Sequence, residues 1–233
     1  MKYDKIKSHA KLNLSLNIVG KNPSLHKIET LVTFAEYHDL IMIRKSNLVD
    51  HSILFYGKFS YKISPNNTVL KLLKTLEQKK ILKKDKFEIK INKRIPSKAG
   101  LGGGSMNAAS IFTYLIKKKI IRVSRKQIFD ITKRVGSDVI LGLDYTNSIL
   151  NSKNEVKRFK NCQKIYLLIV KPNFGCSTKE IFKKVKKFDK PFLKKPSKKL
   201  FRFQSLIKMK NSLESLAFQR YTKLKTIKLF LES

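Results

Sequence analysis

The stretch RIPSKAGLGGGSMNAAS, residues 94–110, holds four of the nine glycines in the 233-residue chain. The segment FEIKINKRIP, which overlaps its start, alternates with period two and predicts a strand ending at Pro96. The segment SMNAASIFTYLIKKK after it is apolar at helical spacing, which predicts a helix starting near Ser105. Glycines let the backbone approach an anion, and the free amides of a helix start add positive potential. The stretch therefore predicts a strand, a phosphate-binding loop and a helix.

The same four glycines also fit a flexible turn or a site of close packing. The two common phosphate patterns do not decide the matter. The chain has no G-x-x-x-x-G-K-[ST], and G-x-G-x-x-G fails because Ser105 stands at the third glycine position. Glycine count alone leaves the phosphate loop and the turn as equal alternatives.

The residues before the loop predict mostly strands. LNLSLNIV alternates apolar and polar residues, and KIETLVTFAEYHDLIMIRK reads as two further strands around the polar stretch 36–39. HSILFYG is a fourth strand, so the first fifty-odd residues predict an antiparallel sheet. NTVLKLLKTLEQKK then predicts a helix that begins at Asn67.

The residues after the loop alternate between helices and one strand. SRKQIFDITKRVGSDV predicts a helix capped by Ser124 and ended by Gly136. Residues 151–161 are polar without a clear period and predict a domain boundary. A strand KIYLLIVKP, a helix STKEIFKKVKKF, a connector over 189–199 and two amphipathic helices follow.

The composition is that of a basic globular protein. The 52 Lys and Arg against 16 Asp and Glu give a formal charge of +36, and 42% of the residues are hydrophobic. Such a charge fits a nucleic-acid partner, but the excess is mainly lysine and is spread along the chain, which favours compositional bias. Two cysteines without ligand spacing fit a reducing compartment, and no apolar run has the length of a signal peptide or a membrane span. We expect a cytoplasmic protein bound to neither nucleic acid nor membrane, and the sequence leaves its oligomeric state open.

The string IPSKAGLGGGSMNAAS closely resembles the second signature of the GHMP kinases, the family of galactokinase, homoserine kinase and mevalonate kinase. Other segments match in the same order along nearly the whole chain, with the best fit to members that act on a cytidine diphosphate-linked methylerythritol. These segments are HAKLNLSLNIVGK, LHKIETLVTFAEYHD, GSDV, VKPNFGCSTKEIF and NSLESLAFQRY. The resemblance implies an α+β fold of two domains, an ATP-binding domain over 1–152 and an incomplete substrate domain over 153–233.

The resemblance also implies which residues form the site. Lys11 and Asp138 match the catalytic lysine and aspartate of the family, and the loop with two further positions matches its ATP-binding residues. The ATP-binding positions are Pro96, Gly100, Leu101, Gly102, Gly103, Gly104, Ser105, Met106, Asn107, Asn67 and Lys93. Asn13, His26, Thr178 and Phe182 match positions on the cytidine side of the acceptor. Without the resemblance, each also fits an ordinary role: a helix-end carboxylate, a surface lysine or histidine, a helix cap or a core aromatic.

The activity implied is transfer of a phosphoryl group from ATP to the 2-hydroxyl of the cytidine diphosphate-linked methylerythritol, a step of non-mevalonate isoprenoid (terpenoid) precursor synthesis. The partner is thus a small molecule. ATP is the donor, and Mg²⁺ is implied by the charge of ATP while no metal-ligand spacing is seen. The alternatives are a GHMP kinase for another alcohol, an inactive kinase remnant and a basic RNA-binding protein.

Four features depart from the family pattern. Leu25 stands in place of the tyrosine before the histidine, in a turn one residue shorter, which removes an aromatic face of the cytosine site. Met106 replaces the second serine of the loop, and Ile140 replaces the proline of G-x-D-V-P. The sequence ends at Ser233, before the family's third glycine-rich signature, so we expect a second domain with an exposed sheet edge.

Overall fold

The computed structural model describes residues 2–23, 26–61, 63–193 and 195–233, the side chain of Lys179 excepted. Strands and helices are mixed, and the chain divides into two compact units. The first unit comprises the described parts of Met1–Lys11, Phe34–Ser97 and Leu101–Tyr145. The second comprises those of Leu12–Thr33, Lys98–Gly100 and Thr146–Ser233. The fold class is α+β, as the sequence predicted.

The two units differ from the predicted ranges 1–152 and 153–233. Residues 12–33 cluster with the second unit, because the first two strands run through both units. Residues 98–100 cluster with the second unit as well. Toward the end of the chain, the first unit ends at Tyr145 and the second resumes at Thr146, close to the predicted boundary. The assignment of an ATP-binding and a substrate domain to those ranges stays a prediction.

Among the described residues the strands are long at the start of the chain and short afterwards. They are β1 Asp4–Lys21, β2 His26–Ser46, β3 Ser52–Tyr56, β4 Lys86–Asn92, β5 Asn147–Leu150 and β6 Val156–Phe159. The prediction of two strands around residues 36–39 is wrong, since β2 passes through them without a break. Asp39 is tolerated there because its buried carboxylate accepts hydrogen bonds from the amides of Arg94 and Ile95.

The helices of the described chain lie mainly after Asn67. They are α1 Thr68–Gln78, α2 Gly103–Lys117, α3 Arg125–Val135, α4 Thr178–Lys183, α5 Phe203–Leu206, α6 Glu214–Arg220 and α7 Thr222–Glu232. The caps of α1 and α3 are confirmed: Asn67 accepts from the amides of Val69 and Leu70, and Ser124 accepts from that of Gln127. Short 3₁₀ turns span Leu141–Leu143 and Lys198–Phe201.

The first unit buries a large apolar core between strands and helices. β4 pairs antiparallel with β2 from Leu40↔Asn92 to Ser46↔Lys86, and α1, α2 and α3 pack together in the same unit. β3 pairs parallel with β4, so the prediction of a wholly antiparallel sheet is wrong at this strand. The core members that are fully buried include Ile41, Leu72, Ile89 and Phe112.

The second unit has a smaller core. Thr30–Val32 of β2 pairs antiparallel with β5, which pairs antiparallel with β6, and the core consists of Leu31, Ile149, Leu193 and Phe201. Residues 151–161 are therefore largely a hairpin and its end, and the domain boundary expected there stays a prediction. The Asn151 side chain holds the turn, because its oxygen accepts from the amides of Lys153 and Glu155.

The apolar segment at 164–172 forms no strand, against the prediction. It has strand-like composition, but no strand in the described part of the chain pairs with it. Tyr166 is 95% exposed and Leu168 82% exposed. Backbone pairing, which composition alone does not supply, is what the segment lacks.

The core of the first unit gives a test of these assignments. Phe112→Ala is expected to lower the free energy of unfolding by about 3–5 kcal/mol, because Phe112 is fully buried and its removal leaves a cavity. Phe129→Ala, the same change at a position 43% exposed on α3, is expected to cost about 0.5 kcal/mol or less. Urea unfolding of both variants measures the difference, and equal losses would contradict the packing described.

Candidate active site

The glycine loop connects β4 to α2 within residues 93–102. β4 ends at Asn92, four residues before Pro96, and α2 begins at Gly103, two residues before the predicted start. The earlier start follows from Gly102, which holds the N-cap position in the left-handed conformation at φ 65°, while Gly100 is left-handed at φ 73°. No side chain caps α2, so the amides of its first turn are available to a ligand or water. This is the strand, loop and helix arrangement that the sequence predicted.

Lys11 of β1 is held against the loop at two points. Its amide donates to the carbonyl of Leu101 at 3.0 Å. Its side chain passes beside Gly102, where an added Cβ would lie 3.3 Å from Lys11 Cβ and Cε. The absence of a side chain at Gly102 therefore leaves room for Lys11 as well as allowing the left-handed turn.

The Lys11 ammonium reaches the carboxylate of Asp138 in the turn after α3. Nζ and Oδ2 are 2.7 Å apart, and the Lys11 side chain is 4% exposed against 29% for Asp138. The structure thus brings together the two residues that the sequence proposed as a catalytic pair, 127 positions apart in the chain. A half-buried ion pair of this length is a charge-assisted hydrogen bond, which fixes the carboxylate in one orientation.

Lys93, predicted as an ATP-binding residue, is engaged inside the protein. Its ammonium bonds to the buried carboxylate of Asp39, which also accepts from the amides of Arg94 at 2.8 Å and Ile95 at 2.7 Å. Lys93 Nζ lies 3.2 Å from where a Cβ on Gly103 would stand. The pair therefore supports the strand end beneath the loop, and Asp39 is a residue that the sequence analysis missed. An acidic residue between the apolar stretches of β2 was the signal available.

Other predicted loop residues also have internal partners. The Asn67 side chain caps α1, while the hydroxyl of the neighbouring Thr68, not predicted, donates to the carbonyl of Gly104 at 2.7 Å. Met106 is buried, and its sulfur would lie 2.7 Å from a Cβ added at Gly142. The Met106 side chain therefore packs into the core and leaves the loop surface to Ser105, which is half-buried.

Pro96 in the loop and Asn107 in α2 are both buried. Asn107 is 1% exposed, and its Oδ1 has no hydrogen-bond donor among the described residues. A buried acceptor without a partner costs free energy unless a ligand or water supplies a donor. Among the residues predicted to bind ATP, Asn107 is thus the one whose buried side-chain oxygen lacks a hydrogen-bond donor in the described protein.

The predicted acceptor-side residues lie in the second unit. The rings of His26 and Phe182 have centroids 5.2 Å apart, and Asn13 Oδ1 accepts from the Thr30 hydroxyl at 3.3 Å. Desolvation by burial, with the charge of Lys21, lowers the pKa of His26 below its usual value, which favours the neutral ring. The structure thus places the His26 and Phe182 rings side by side, and their role toward a cytidine stays a prediction.

Thr178 and Leu25 are the other residues that the sequence analysis considered on the acceptor side. The cap of α4 is Ser177, whose hydroxyl accepts from the amide of Glu180, and Thr178 is the first helical residue. Leu25, which replaces the family's tyrosine, lies outside the described residues. A cavity of about 870 Å³ in the same unit is lined by residues such as Asn17, Phe192 and Met209, and by none of the predicted acceptor-side residues.

Within the described ranges, no helix has the length and apolar character needed to cross a membrane. The same residues contain no group of three or more His, Cys, Asp or Glu side chains placed to hold a metal ion. Cys162 and Cys176 are free thiols.

Comparison with known proteins places this site in a family. A family model described as "GHMP kinases N terminal domain" matches residues 67–151, which include the glycine loop and Asp138. The fold and this match point to the GHMP class of ATP-dependent small-molecule kinases. A solved structure of 4-(cytidine 5'-diphospho)-2C-methyl-D-erythritol kinase has the same fold, with a TM-score of 0.67 and 21% identity over 96% of this chain and 81% of that one.

Two relatives identify the family of this chain within the GHMP class. The 4-diphosphocytidyl-2-C-methyl-D-erythritol kinase of Pelagibacter ubique (strain HTCC1062) is 50% identical over 97% of this chain and 81% of its own length. The enzyme of the same name from Thermoanaerobacter pseudethanolicus is 31% identical over 79% of this chain and 63% of its own length. The chain belongs to the 4-diphosphocytidyl-2-C-methyl-D-erythritol kinase family.

The support beneath the loop is testable through Asp39. Asp39→Asn is expected to lower the free energy of unfolding by about 3–5 kcal/mol, because the buried Lys93 ammonium loses its counter-charge. Asp85→Asn removes a carboxylate from an exposed pair with Lys45 and is expected to cost about 1 kcal/mol or less. Chemical unfolding measures both, and an Asp39 variant as stable as the Asp85 variant would contradict the role given to Asp39.

Proposed function

We propose that this protein transfers the γ-phosphoryl group of ATP to the 2-hydroxyl of 4-diphosphocytidyl-2-C-methyl-D-erythritol. The observation that carries the proposal is the 2.7 Å contact between Lys11 and Asp138, made by a lysine whose own backbone and side chain lie against the glycine loop. A carboxylate fixed beside a phosphate-binding loop is what phosphoryl transfer to an alcohol requires. The names of the relatives support the choice of alcohol.

Asp138 is the group proposed to act on the acceptor hydroxyl. The hydroxyl oxygen forms a bond to the γ-phosphorus, the bond from that phosphorus to the β–γ bridging oxygen breaks, and ADP leaves with the electron pair. The hydroxyl proton passes to the Asp138 carboxylate. Lys11 orients that carboxylate and contributes positive charge near the phosphoryl group in transfer.

The loop from Gly100 to Asn107 is proposed to hold the ATP phosphates. Left-handed Gly100 and Gly102 turn the backbone, and the uncapped start of α2 presents amides and a positive dipole end. Gly100 is exposed, and a Cβ built on it meets no atom within 4 Å, so space is open beside it.

Magnesium is proposed as the partner of ATP, and the donor set supports only a limited role for the protein in holding it. Asp138 is already paired with Lys11, and the described residues contain no cluster of three metal-ligating side chains. Mg²⁺ characteristically keeps several waters and binds through substrate phosphates with one or two carboxylates. The positive charge of Mg²⁺ is therefore supplied together with the bound ATP and not by a metal site of the described residues.

The cytidine end of the acceptor is assigned to the second unit. Phe182 offers a ring face for stacking, and neutral His26 offers one nitrogen that donates and one that accepts, which suits the edge of a cytosine. Asn13 and Thr178 add polar groups on β1 and α4. The free thiols of Cys162 and Cys176 suit a reducing cytoplasm as the place of the reaction.

The proposal is tested by ADP release from the purified 233-residue chain with Mg-ATP and the acceptor. Turnover is expected to depend on the acceptor and to fall by about 10²–10⁴-fold in Asp138→Asn, since a general base contributes about that factor. Asp130→Asn changes an exposed carboxylate of α3 and is expected to leave the rate unchanged.

Four results would count against the proposal. Turnover retained in Asp138→Asn would remove the assigned base, and turnover with other alcohols but not this one would change the acceptor. A folded protein with no turnover would identify an inactive relative, and binding of RNA with a steep salt dependence would favour a nucleic-acid function instead.

The acceptor side is tested through Phe182. Phe182→Ala is expected to raise the KM for the acceptor about 5- to 150-fold, the effect of losing about 1–3 kcal/mol of stacking on a base, with the KM for ATP unchanged. Phe188→Ala, at a position 49% exposed shortly after α4, is the matched control and is expected to change neither KM. Steady-state kinetics with each substrate varied in turn measures the effect. An acceptor KM that stays at the wild-type value in Phe182→Ala would exclude stacking by this ring.

A further inference from the structure

The first residues of the glycine loop touch the segment that leads into α4. The carbonyl of Lys98 accepts a hydrogen bond from the amide of Cys176 at 2.9 Å. A Cβ built on Gly175 would lie 3.0 Å from Lys98 Cβ and 3.5 Å from its Cδ. Residues 98–100 belong to the second unit, which also holds α4, and Leu101 onward belongs to the first.

Lys98 has an unusual conformation for a residue with a side chain. It is left-handed at φ 55°, two residues before the left-handed Gly100. Such a conformation persists in a non-glycine residue only where its surroundings hold it. The hydrogen bond from Cys176 and the close approach of Gly175 are the contacts that hold the backbone of Lys98.

The segment 174–177 is in turn fixed from its other side. The ring of Phe174 stacks on that of Tyr221 with centroids 5.9 Å apart, and the Tyr221 hydroxyl accepts from the amide of Ser177 at 3.1 Å. Ser177 is the N-cap of α4, the helix that carries Thr178 and Phe182. One short segment thus contacts the start of the glycine loop and leads directly into the acceptor-side helix.

We propose that Gly175 is a positioning residue that couples α4 to the glycine loop. Because it has no side chain, the backbone of residues 175–176 approaches Lys98 and holds the loop start in its left-handed conformation. A shift of α4 on binding the acceptor then reaches Gly100 through Lys98. The proposal deepens the proposed function and rests on it for the identity of the two ligands.

The test is Gly175→Ala. Its Cβ would press on Lys98 Cβ, which is close to the backbone and yields only if residues 98–100 shift by a few tenths of an ångström. We expect the KM for ATP to rise about 3- to 10-fold, less than the roughly 10²-fold that a 1 Å misplacement causes, with kcat changed less than KM. Lys98→Gly, which removes the opposing Cβ, is expected to restore the ATP KM when combined with Gly175→Ala.

Gly20→Ala is the matched control. It adds the same methyl group in the same unit, but its nearest neighbour is Lys27 Cδ at 3.7 Å, an ordinary contact. It is expected to leave both KM values and stability unchanged. An ATP KM that stays at the wild-type value in Gly175→Ala, or that rises without rescue by Lys98→Gly, would overturn the proposal and leave a purely structural glycine.

Amide hydrogen exchange separates this proposal from the proposed function. Residues 99–104 and Cys176 are expected to exchange faster in Gly175→Ala than in Gly20→Ala, and Lys98→Gly is expected to reverse the change. This readout needs no turnover, so an inactive wild-type chain would refute the kinase and leave the positioning role tested. Unchanged exchange in Gly175→Ala would refute the positioning role in an active enzyme.

Discussion

The buried carboxylate of Asp39 is the constraint on which the first unit's site depends. Lys93 and the amides of Arg94 and Ile95 all donate to it, so one anion fixes three consecutive residues after β4. An anion with no exposed surface is stable only when it is fully bonded, and a set of donors this complete allows little variation in the backbone. The chain therefore leaves β4 in one direction, and Pro96, itself buried, continues it toward the loop. The left-handed turns at Gly100 and Gly102 then begin from a fixed backbone.

Lys11 connects the glycine loop to Asp138, the proposed catalytic carboxylate. A lysine of β1 is paired by its backbone to Leu101 and by its ammonium to Asp138, so the strand, the loop and the turn after α3 meet at one side chain. Burial to 4% exposure confines the long side chain, which removes the rotamer freedom that weakens surface ion pairs. Gly102 makes this possible, because any side chain there would occupy the path of the lysine. The same glycine serves the turn and the pair, which accounts for part of the clustering of glycine in a chain that otherwise uses few.

Local sequence patterns predicted the helices of the first unit well and the strands less well. Asn67, Ser124 and Gly136 mark helix ends through bonds made within a few residues, and such signals are complete in the sequence. The uninterrupted β2 and the parallel β3 depend on distant partners, since Asp39 is accommodated only by residues 93–95. Residues 164–172 show the reverse case, in which strand composition without a partner among the described residues gives no strand. The pair Lys11 and Asp138 came from family resemblance, because nothing local distinguishes Lys11 from the other lysines.

The residues predicted to bind ATP divide into two groups, according to whether they already have a role inside the protein. Asn67, Lys93 and Met106 are committed to a helix cap, a buried ion pair and the core, so they act on a ligand only through the backbone they hold. Gly100 is exposed and Ser105 half-buried, and Asn107 keeps an unpaired oxygen. The side chains of the first group support the backbone around the loop, so we expect a nucleotide to contact the exposed backbone at Gly100 and the half-buried Ser105 instead.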